Sequence, residues 1–285
     1  MPETPALLPE AEIRRLAELY RLSLDVTHSA GTFGSREGRE TGASVEIQDF
    51  RDYVPGDDVR RIDWFSSART DRLILRLYRE EVSPFFDLVV DTSASMAIRD
   101  GRKGPLAHEL CRWMHRSAAG EGVSVRTFAA GESMRRLTDP TELVFSEAGS
   151  VLLQEPRRAT EGLRRSSVRL VLSDFMSPTS PSAVIKALSA GCARLIVLHL
   201  LGPWENDPGP VGPAVLESVE GRRRADLTLD RRAVEDYARR LGALKDELRD
   251  QTRRCRGLHL EVVADQGLEE VLRSRFLPLG LVEVG

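Results

Sequence analysis

Five short segments rich in Val, Leu and Ile place the strongest limit on how this chain can fold. They lie at residues 86–91, 123–129, 168–173, 195–200 and 258–263. Their apolar residues are mostly consecutive rather than alternating with polar ones, which is typical of strands in a sheet that is covered on both faces. Helical stretches lie between most of these segments, so the sequence predicts an α/β fold with a largely parallel sheet.

Three helices are predicted among these strands, the longest of them from apolar residues spaced three and four positions apart. They span residues 106–119, residues 182–190, and a long stretch from a cap at Asp230 to about Cys255. The segment at residues 201–227 is rich in Pro, Gly and Arg. It is therefore predicted to be an irregular loop on the surface.

Residues 1–84 have a different pattern. Helical spacing from residue 10 to 24 is followed by several glycines, and alternating apolar residues from about 44 to 82 indicate short strands with one turn of helix. We therefore divide the chain into an N-terminal portion, residues 1–84, and an α/β domain, residues 85–285. We interpret the N-terminal portion as an elaboration of the core sheet, with a separate domain as the alternative.

Charge and cysteine content argue against several classes of protein. The chain has 41 Lys and Arg against 44 Asp and Glu, so it lacks the basic excess that is typical of nucleic-acid-binding proteins. Its three cysteines are far apart in sequence and indicate a reducing compartment rather than a disulfide framework. No secretory signal and no apolar run of about 18 residues is found. We expect a cytoplasmic protein without a membrane span.

Polar oxygens follow two of the predicted strands. One strand ends in Asp91, with hydroxyls at Ser93 and Ser95, and another is followed by Asp174. Sites in parallel sheets form at the carboxyl ends of strands, so these side chains surround one point if the two strands are neighbours. Such oxygens suit one hard divalent cation, and Mg²⁺ takes about six of them at roughly 2.0–2.1 Å. The pattern predicts a metal site, with simple capping of the next turn as the alternative.

A further hydroxyl ligand is expected from the loop before the helix that precedes the Asp174 strand. Ser150 and Thr160 are both candidates. A helix that starts after Ser150 has room for its full length before the strand, but Pro156 would lie inside it. A helix that starts at Thr160 has room for only about two turns. The choice between the two stays open, and either hydroxyl alone could be an ordinary helix cap.

The segment Pro55-Gly56-Asp57-Asp58 predicts a tight turn with acidic residues. Several arginines are near it in sequence, namely Arg51, Arg60, Arg61 and Arg69. Bidentate pairs between these guanidinium groups and the two carboxylates are expected. The segment is interpreted as an internal latch between the N-terminal portion and the core, with a partner-binding surface as the alternative.

Three stretches resemble known families. The run VVDTSASM, residues 89–96, resembles the metal-ion-dependent adhesion site of von Willebrand factor type A domains, and VLSDF, residues 171–175, resembles the later aspartate strand of that fold. The stretch RDYVPGDDVRRIDWFSSARTDRLILRLYREE, residues 51–81, is similar to the signature of the bacterial domain-of-unknown-function 58 (DUF58) proteins. The resemblance covers most of the chain, from the helix near Glu10 through the long helix that ends near Cys255.

The resemblance implies a Rossmann-like von Willebrand factor A fold with a β-rich N-terminal elaboration. It also implies one Mg²⁺ or Mn²⁺ ion with these ligands: Asp91, Ser93, Ser95, either Thr160 or Ser150, and Asp174. Such proteins are commonly found with MoxR-type AAA+ ATPases. The implied function is therefore a non-enzymatic adaptor that binds such an ATPase or its client, with a carboxylate of the partner completing the shell of the cation.

The sequence leaves two alternative functions, an enzyme and a metal-free scaffold. A magnesium-dependent phosphohydrolase would use Asp91, but Ser93 stands where haloacid-dehalogenase-type phosphatases have their second aspartate. No nucleophile elbow and no P-loop motif accompany it. A metal-free scaffold would instead bind partners through the Pro55-Gly56-Asp57-Asp58 segment and the long helix.

Overall fold

The computed structural model contains two compact units, Met1–Ala30 with Pro84–Gly285 and Gly31–Ser83. The structure describes residues 6–23, 46–54, 57, 59–70, 72–79, 85–97, 102–145, 149–177, 179–208, 212–217 and 224–285. The described strands are β1 (Tyr20–Leu22), β2 (Glu46–Asp52), β3 (Ile74–Arg79), β4 (Phe85–Asp91), β5 (Ser124–Ala130), β6 (Met134–Leu137), β7 (Val168–Ser173), β8 (Arg194–Leu201), β9 (Gly212–Glu217), β10 (Arg224–Leu229), β11 (Leu258–Val263) and β12 (Val282–Val284). The described α-helices are α1 (Glu10–Leu19), α2 (Trp64–Thr70), α3 (Lys103–Gly120), α4 (Val151–Gln154), α5 (Pro181–Ser189), α6 (Pro203–Asn206), α7 (Arg231–Arg254) and α8 (Leu268–Val271).

A six-stranded sheet forms the centre of the larger unit, in the spatial order β11-β8-β7-β4-β5-β6. Neighbouring strands are parallel except for the edge strand β6, which is antiparallel to β5. Alternate residues of β4 belong to two different apolar clusters, Leu88 and Val90 to one and Val89 to the other. Both faces of the sheet are therefore covered, and the predicted α/β fold with its mostly parallel sheet is confirmed.

The strand order reverses at β4. The chain passes from β4 to β5 on one side and later returns to β7 on the other side. In open α/β sheets, ligands bind in the crevice at the carboxyl ends of the strands where the order reverses. Asp91 is the last residue of β4, and Ser173 is the last residue of β7. The topology thus brings both predicted acidic strand ends to this crevice.

The helices of the larger unit follow the predicted order with shifted ends. Helix α7 begins after Asp230, whose side chain accepts a hydrogen bond from the Ala233 amide, as predicted for its cap. Helix α3 begins at Lys103, three residues before the predicted start at residue 106. Pro105 lies in its first turn, where the missing proline N–H breaks no intrahelical bond. This earlier start makes Lys103 the first residue of the helix, and its ammonium contacts Asp174, which directly follows β7.

The predicted N-terminal portion, residues 1–84, is divided between the two units. Helix α1 buries Ile13 and Leu16 in the same apolar cluster as Trp113 of α3. The helix ends at Leu19 rather than at the predicted residue 24, because Tyr20 is extended and begins β1, which pairs with β12. Helix α1 and strand β1 are therefore parts of the larger unit.

The smaller unit contains the antiparallel pair of β2 and β3, with helix α2 between them in sequence. Arg51 donates two hydrogen bonds, of 2.8 and 2.7 Å, to the Asp57 carboxylate, which also accepts the Val54 amide at 2.9 Å. The predicted bidentate pair is thus present for Asp57, and it closes a turn within this unit. Pro55, Gly56 and Asp58 lie outside the described residues.

The prediction of an irregular loop at residues 201–227 is wrong. This segment contains α6 and the antiparallel hairpin of β9 and β10. Its Pro, Gly and Arg residues obscured the strand pattern, because they interrupt the apolar alternation on which strand prediction depends. Within the described parts of the chain, no helix has both the length and the apolar character that crossing a membrane requires.

Candidate functional site

The ends of β4 and β7 are joined by a direct side-chain hydrogen bond. Ser173 Oγ donates to Asp91 Oδ2 at 2.6 Å, and both residues are fully buried. The other oxygen, Asp91 Oδ1, accepts the Ser93 amide at 3.0 Å. The Asp91 carboxylate is therefore held in one orientation by the strand next to it and by its own turn.

The Asp-x-Ser-x-Ser turn brings two hydroxyls together beside this carboxylate. Ser93 Oγ and Ser95 Oγ lie 3.1 Å apart, and both side chains are buried. A short 3-10 helix, Ala94–Ala97, holds the turn in shape. Two ligands at neighbouring corners of a magnesium octahedron are about 2.9 Å apart, since each lies at roughly 2.0–2.1 Å from the metal. The spacing of the two hydroxyls is compatible with such a pair.

Burial disfavours the ionised form of the Asp91 carboxyl. Desolvation raises the pKa of its carboxyl to about 6, and the negative charge of Asp174 adds to this effect. The hydrogen bonds from Ser173 and Ser93 favour the ionised form but do not overcome the burial. An ionised Asp91 would therefore be stabilised by a cation at this position.

The structure separates the two candidates for the remaining hydroxyl ligand. Ser150 is buried, and its Oγ donates at 3.1 Å to the carbonyl of Ala130, the residue that pairs with Asp91 in the sheet. The amide of Thr92 donates to the same carbonyl at 3.3 Å, so Ser150 lies beside the Asp91 turn. Thr160 is partly exposed and donates to the Arg157 carbonyl of its own turn at 2.7 Å. Of the two hydroxyls, the one beside the Asp91 turn is that of Ser150.

Asp174 is buried and has a hydrogen-bond donor at each carboxylate oxygen. Its Oδ1 accepts the Met176 amide at 3.0 Å, and its Oδ2 accepts Lys103 Nζ at 2.8 Å. His199 on β8 contacts the Asp174 backbone carbonyl at 3.0 Å. Asp174 thus lies at the predicted sheet edge, but in an ion pair that the sequence interpretation did not include.

Lys103 bridges two carboxylates at this edge. Its Nζ lies 2.8 Å from Asp174 Oδ2 and 2.5 Å from Glu205 Oε1, and the whole lysine side chain is buried. The second oxygen, Glu205 Oε2, accepts the Gly202 amide at 2.6 Å. Burial alone would lower the pKa of Lys103, but the charges of Asp174 and Glu205 outweigh it and raise the pKa. The ammonium therefore stays charged.

Sequence reasoning missed Lys103, Glu205 and the role of Ser173 in orienting Asp91. One signal pointed to the lysine: only three of the 41 basic residues are lysines, Lys103, Lys186 and Lys245. A lysine in such an arginine-rich chain indicates a place where a compact ammonium is needed rather than a planar guanidinium. Glu205 had no comparable signal, because it lies in a segment that we predicted to be irregular.

The donor set fits one divalent cation on charge and on ligand type. Asp91, Asp174 and Glu205 are three carboxylates and Lys103 is one ammonium, so the ionised cluster has two excess negative charges. One divalent cation would balance them. Among the described residues, no group of three or more His, Cys, Asp and Glu side chains is arranged to hold a metal. A cation here would thus depend on serine hydroxyls and water as well as on carboxylates.

Comparisons with known proteins cover most of the chain. A family model with the description "Protein of unknown function DUF58" matches residues 49–247, which include Asp91, Asp174 and Glu205. Uncharacterized proteins of Mycobacterium tuberculosis and Mycobacterium bovis are each 26% identical to the chain over 284 residues. These alignments cover 92% of this chain and 87% of each relative.

Two solved structures are also similar to the chain at low sequence identity. One is the conserved hypothetical protein BatB of Bacteroides thetaiotaomicron, with 14% identity and a TM-score of 0.38 over 69% of this chain and 98% of that one. The other is an aerotolerance-related membrane protein of Bacteroides fragilis, with 14% identity and a TM-score of 0.32 over 68% of this chain and 99% of that one.

Proposed function

We propose a function for this chain from its site, because the chain belongs to the DUF58 family, whose function is unknown. The proposal is a non-enzymatic adaptor that binds another protein through one divalent cation, Mg²⁺ or Mn²⁺. Asp91, Ser93 and Ser95 would hold the cation together with Asp174 and one further hydroxyl. Of the two candidates for that hydroxyl, Ser150 is preferred to Thr160.

The observation that carries this proposal is the buried carboxylate of Asp91, which lies beside two serine hydroxyls at the point where the strand order reverses. A buried carboxylate without a balancing charge is costly, and a cation would remove that cost. When bound, the cation would offer an open coordination position to a carboxylate of the partner. The sheet order and this motif together support a von Willebrand factor A-like fold for the larger unit.

The proposed partner is a MoxR-type AAA+ ATPase or a client of that ATPase, in the cytoplasm. This choice rests on the DUF58 family and on the adhesion-site motif. The cluster at the sheet edge has excess negative charge, so a partner carboxylate would bind there only through the cation. Binding of the partner should therefore require a divalent cation. Charge complementarity between the two surfaces would by itself give weaker binding.

Affinity capture from lysate tests the proposal. The full chain and its Asp91→Ala variant are used as baits, each with Mg²⁺ and with EDTA. Asp265→Ala is the matched control, since Asp265 is an exposed carboxylate just after β11, at the same edge of the sheet. Wild type and the control should capture the ATPase or its client with Mg²⁺ only, and Asp91→Ala should not capture it in either condition.

Two other results would overturn the proposal. Capture that neither EDTA nor Asp91→Ala changes would favour a metal-free scaffold, a reading that the ammonium of Lys103 at Asp174 makes reasonable. Magnesium-dependent release of phosphate from a generic phosphate ester, lost in Asp91→Asn, would instead indicate a phosphohydrolase. The second assay uses the same protein preparations as the capture experiment.

A further inference from the structure

Lys103 occupies a position that a cation-binding site would be expected to leave free of positive charge. Resting on the proposed function, we infer that Lys103 sets the affinity of the site: its ammonium holds Asp174 and Glu205 in ion pairs and so keeps intrinsic cation binding weak. A partner carboxylate is then needed for tight binding. The cation would otherwise stay bound whether or not a partner was present.

Hydrogen bonding limits what Asp174 and Glu205 can offer to a metal. Asp174 has Lys103 at Oδ2 and the Met176 amide at Oδ1. Glu205 has Lys103 at Oε1 and the Gly202 amide at Oε2. Each of the four oxygens thus already accepts a hydrogen bond. A cation that approached either carboxylate would have to compete with the ammonium for it.

The positive charge of Lys103 also weakens cation binding. An ammonium that touches Asp174 repels any second cation held by that carboxylate, and the repulsion is strong because the group is buried away from water. At an effective dielectric constant of about 20, like charges roughly 5 Å apart change a binding constant by more than tenfold. Removing the charge of Lys103 should therefore tighten cation binding by at least about tenfold.

A lysine suits this position better than an arginine would. The ammonium is a compact charge that can bridge two carboxylates from a fully buried position, whereas a planar guanidinium requires more space and a fixed fork of donors. Lys103 also connects three elements, namely the first turn of α3, the end of β7 and helix α6. A residue that only braced these elements would change stability without tightening the binding of metal.

Calorimetric titration of the full chain with Mn²⁺ at pH 7.5 tests the inference. Lys103→Met removes the ammonium and keeps a side chain of similar length. Lys245→Met is the matched control, because Lys245 also forms an ion pair, with Glu261 at 2.7 Å, but does not contact Asp174. Lys103→Met should bind Mn²⁺ at least about tenfold more tightly than wild type, and Lys245→Met should bind within about twofold of wild type.

A second variant covers the case in which Lys103→Met does not fold. Glu205→Gln leaves the ammonium in place and removes one of the two carboxylates that neutralise it. Mn²⁺ binding should then weaken by about threefold to tenfold, because the cluster loses one negative charge and the charge of Lys103 is less neutralised at Asp174. The melting temperature with and without Mn²⁺ gives an independent readout for both variants, since a tighter ligand raises it further.

The outcomes separate this inference from the proposed function. If Mn²⁺ binds neither to wild type nor to Lys103→Met, the proposed function itself is overturned. If wild type binds Mn²⁺ and Lys103→Met binds it equally or more weakly, the proposed function stays intact. The role of Lys103 is then overturned. If Lys103→Met cannot be purified as a folded protein, unchanged affinity in Glu205→Gln would overturn that role in the same way.

Discussion

The hydroxyl of Ser173 donates a 2.6 Å hydrogen bond to the carboxylate of Asp91, across two neighbouring parallel strands. The bond fixes the rotamer of the aspartate before any ligand is present. It also makes the predicted metal site depend on a residue of the adjacent strand.

Loss of the Ser173 hydroxyl should destabilise the fold. Ser173→Ala leaves one oxygen of a fully buried carboxylate without its donor, and an unsatisfied buried acceptor costs about 1–3 kcal/mol. Urea denaturation at pH 7.5 measures the change in the free energy of unfolding. Ser189→Ala is the control, because Ser189 donates only to the Lys186 carbonyl on an exposed surface. Equal stability of the two variants would contradict a role for Ser173 at Asp91.

The stability contributed by Asp91 should fall as the pH rises. Burial raises the pKa of this carboxyl from 3.8 to about 6, so between these values the folded state binds more protons than the unfolded state. The contribution is complete below about pH 4 and is lost as the pH rises through about 6, with a total of about 3 kcal/mol. In EDTA, Asp91→Asn should therefore gain stability relative to wild type over this range.

Melting temperatures of wild type and Asp91→Asn between pH 4.5 and 7.5 measure this effect. The difference between the two proteins removes the contribution of the other titrating groups. Asp265→Asn, at an exposed carboxylate, is the control for the loss of one negative charge. If the difference in melting temperature between Asp91→Asn and wild type does not change with pH, burial does not disfavour the ionised form of Asp91.

Asp87 and Asp91 are two buried aspartates of strand β4. Replacement by Asn should destabilise the fold at Asp87 and stabilise it at Asp91. Asp87 accepts hydrogen bonds from Arg126 at 2.6 and 2.8 Å, from the Arg164 amide and from Ser167. Asp87→Asn leaves the Arg126 charge without its partner and should cost about 3–5 kcal/mol. Chemical denaturation of both variants at pH 7.5 compares them. Equal destabilisation would mean that Asp91 also has a full set of partners.

The choice between Ser150 and Thr160 can be tested by cation binding. Ser150→Ala removes a buried hydroxyl beside the Asp91 turn and should weaken Mn²⁺ binding about threefold to tenfold, as loss of one neutral oxygen ligand. Thr160→Ala removes a hydroxyl that donates within its own turn and should leave the affinity unchanged. Calorimetric titration measures both, and the reverse result would identify Thr160 as the ligand.

Much of the fold and part of the site could be predicted from local sequence pattern. The consecutive apolar residues of β4 and β7 predicted buried strands, and Asp91 with Ser93 and Ser95 formed a motif within one turn. Prediction failed at residues 201–227, where Pro, Gly and Arg obscured the strands, and at the start of α3, where Pro105 lies in the first turn. Glu205 and Lys103 were missed for these reasons.

The sequence by itself determined which residues form the parallel strands of the central sheet and which carboxylate ends β4, because both depend on contiguous residues. Only the tertiary structure decided what surrounds that carboxylate. The partners of Lys103 are 71 and 102 residues away from it in the chain, and Ser173 is 82 residues from Asp91. Ion pairs and hydrogen bonds at this range depend on which strand ends become neighbours, and the order of strands in a sheet is set by packing over the whole chain.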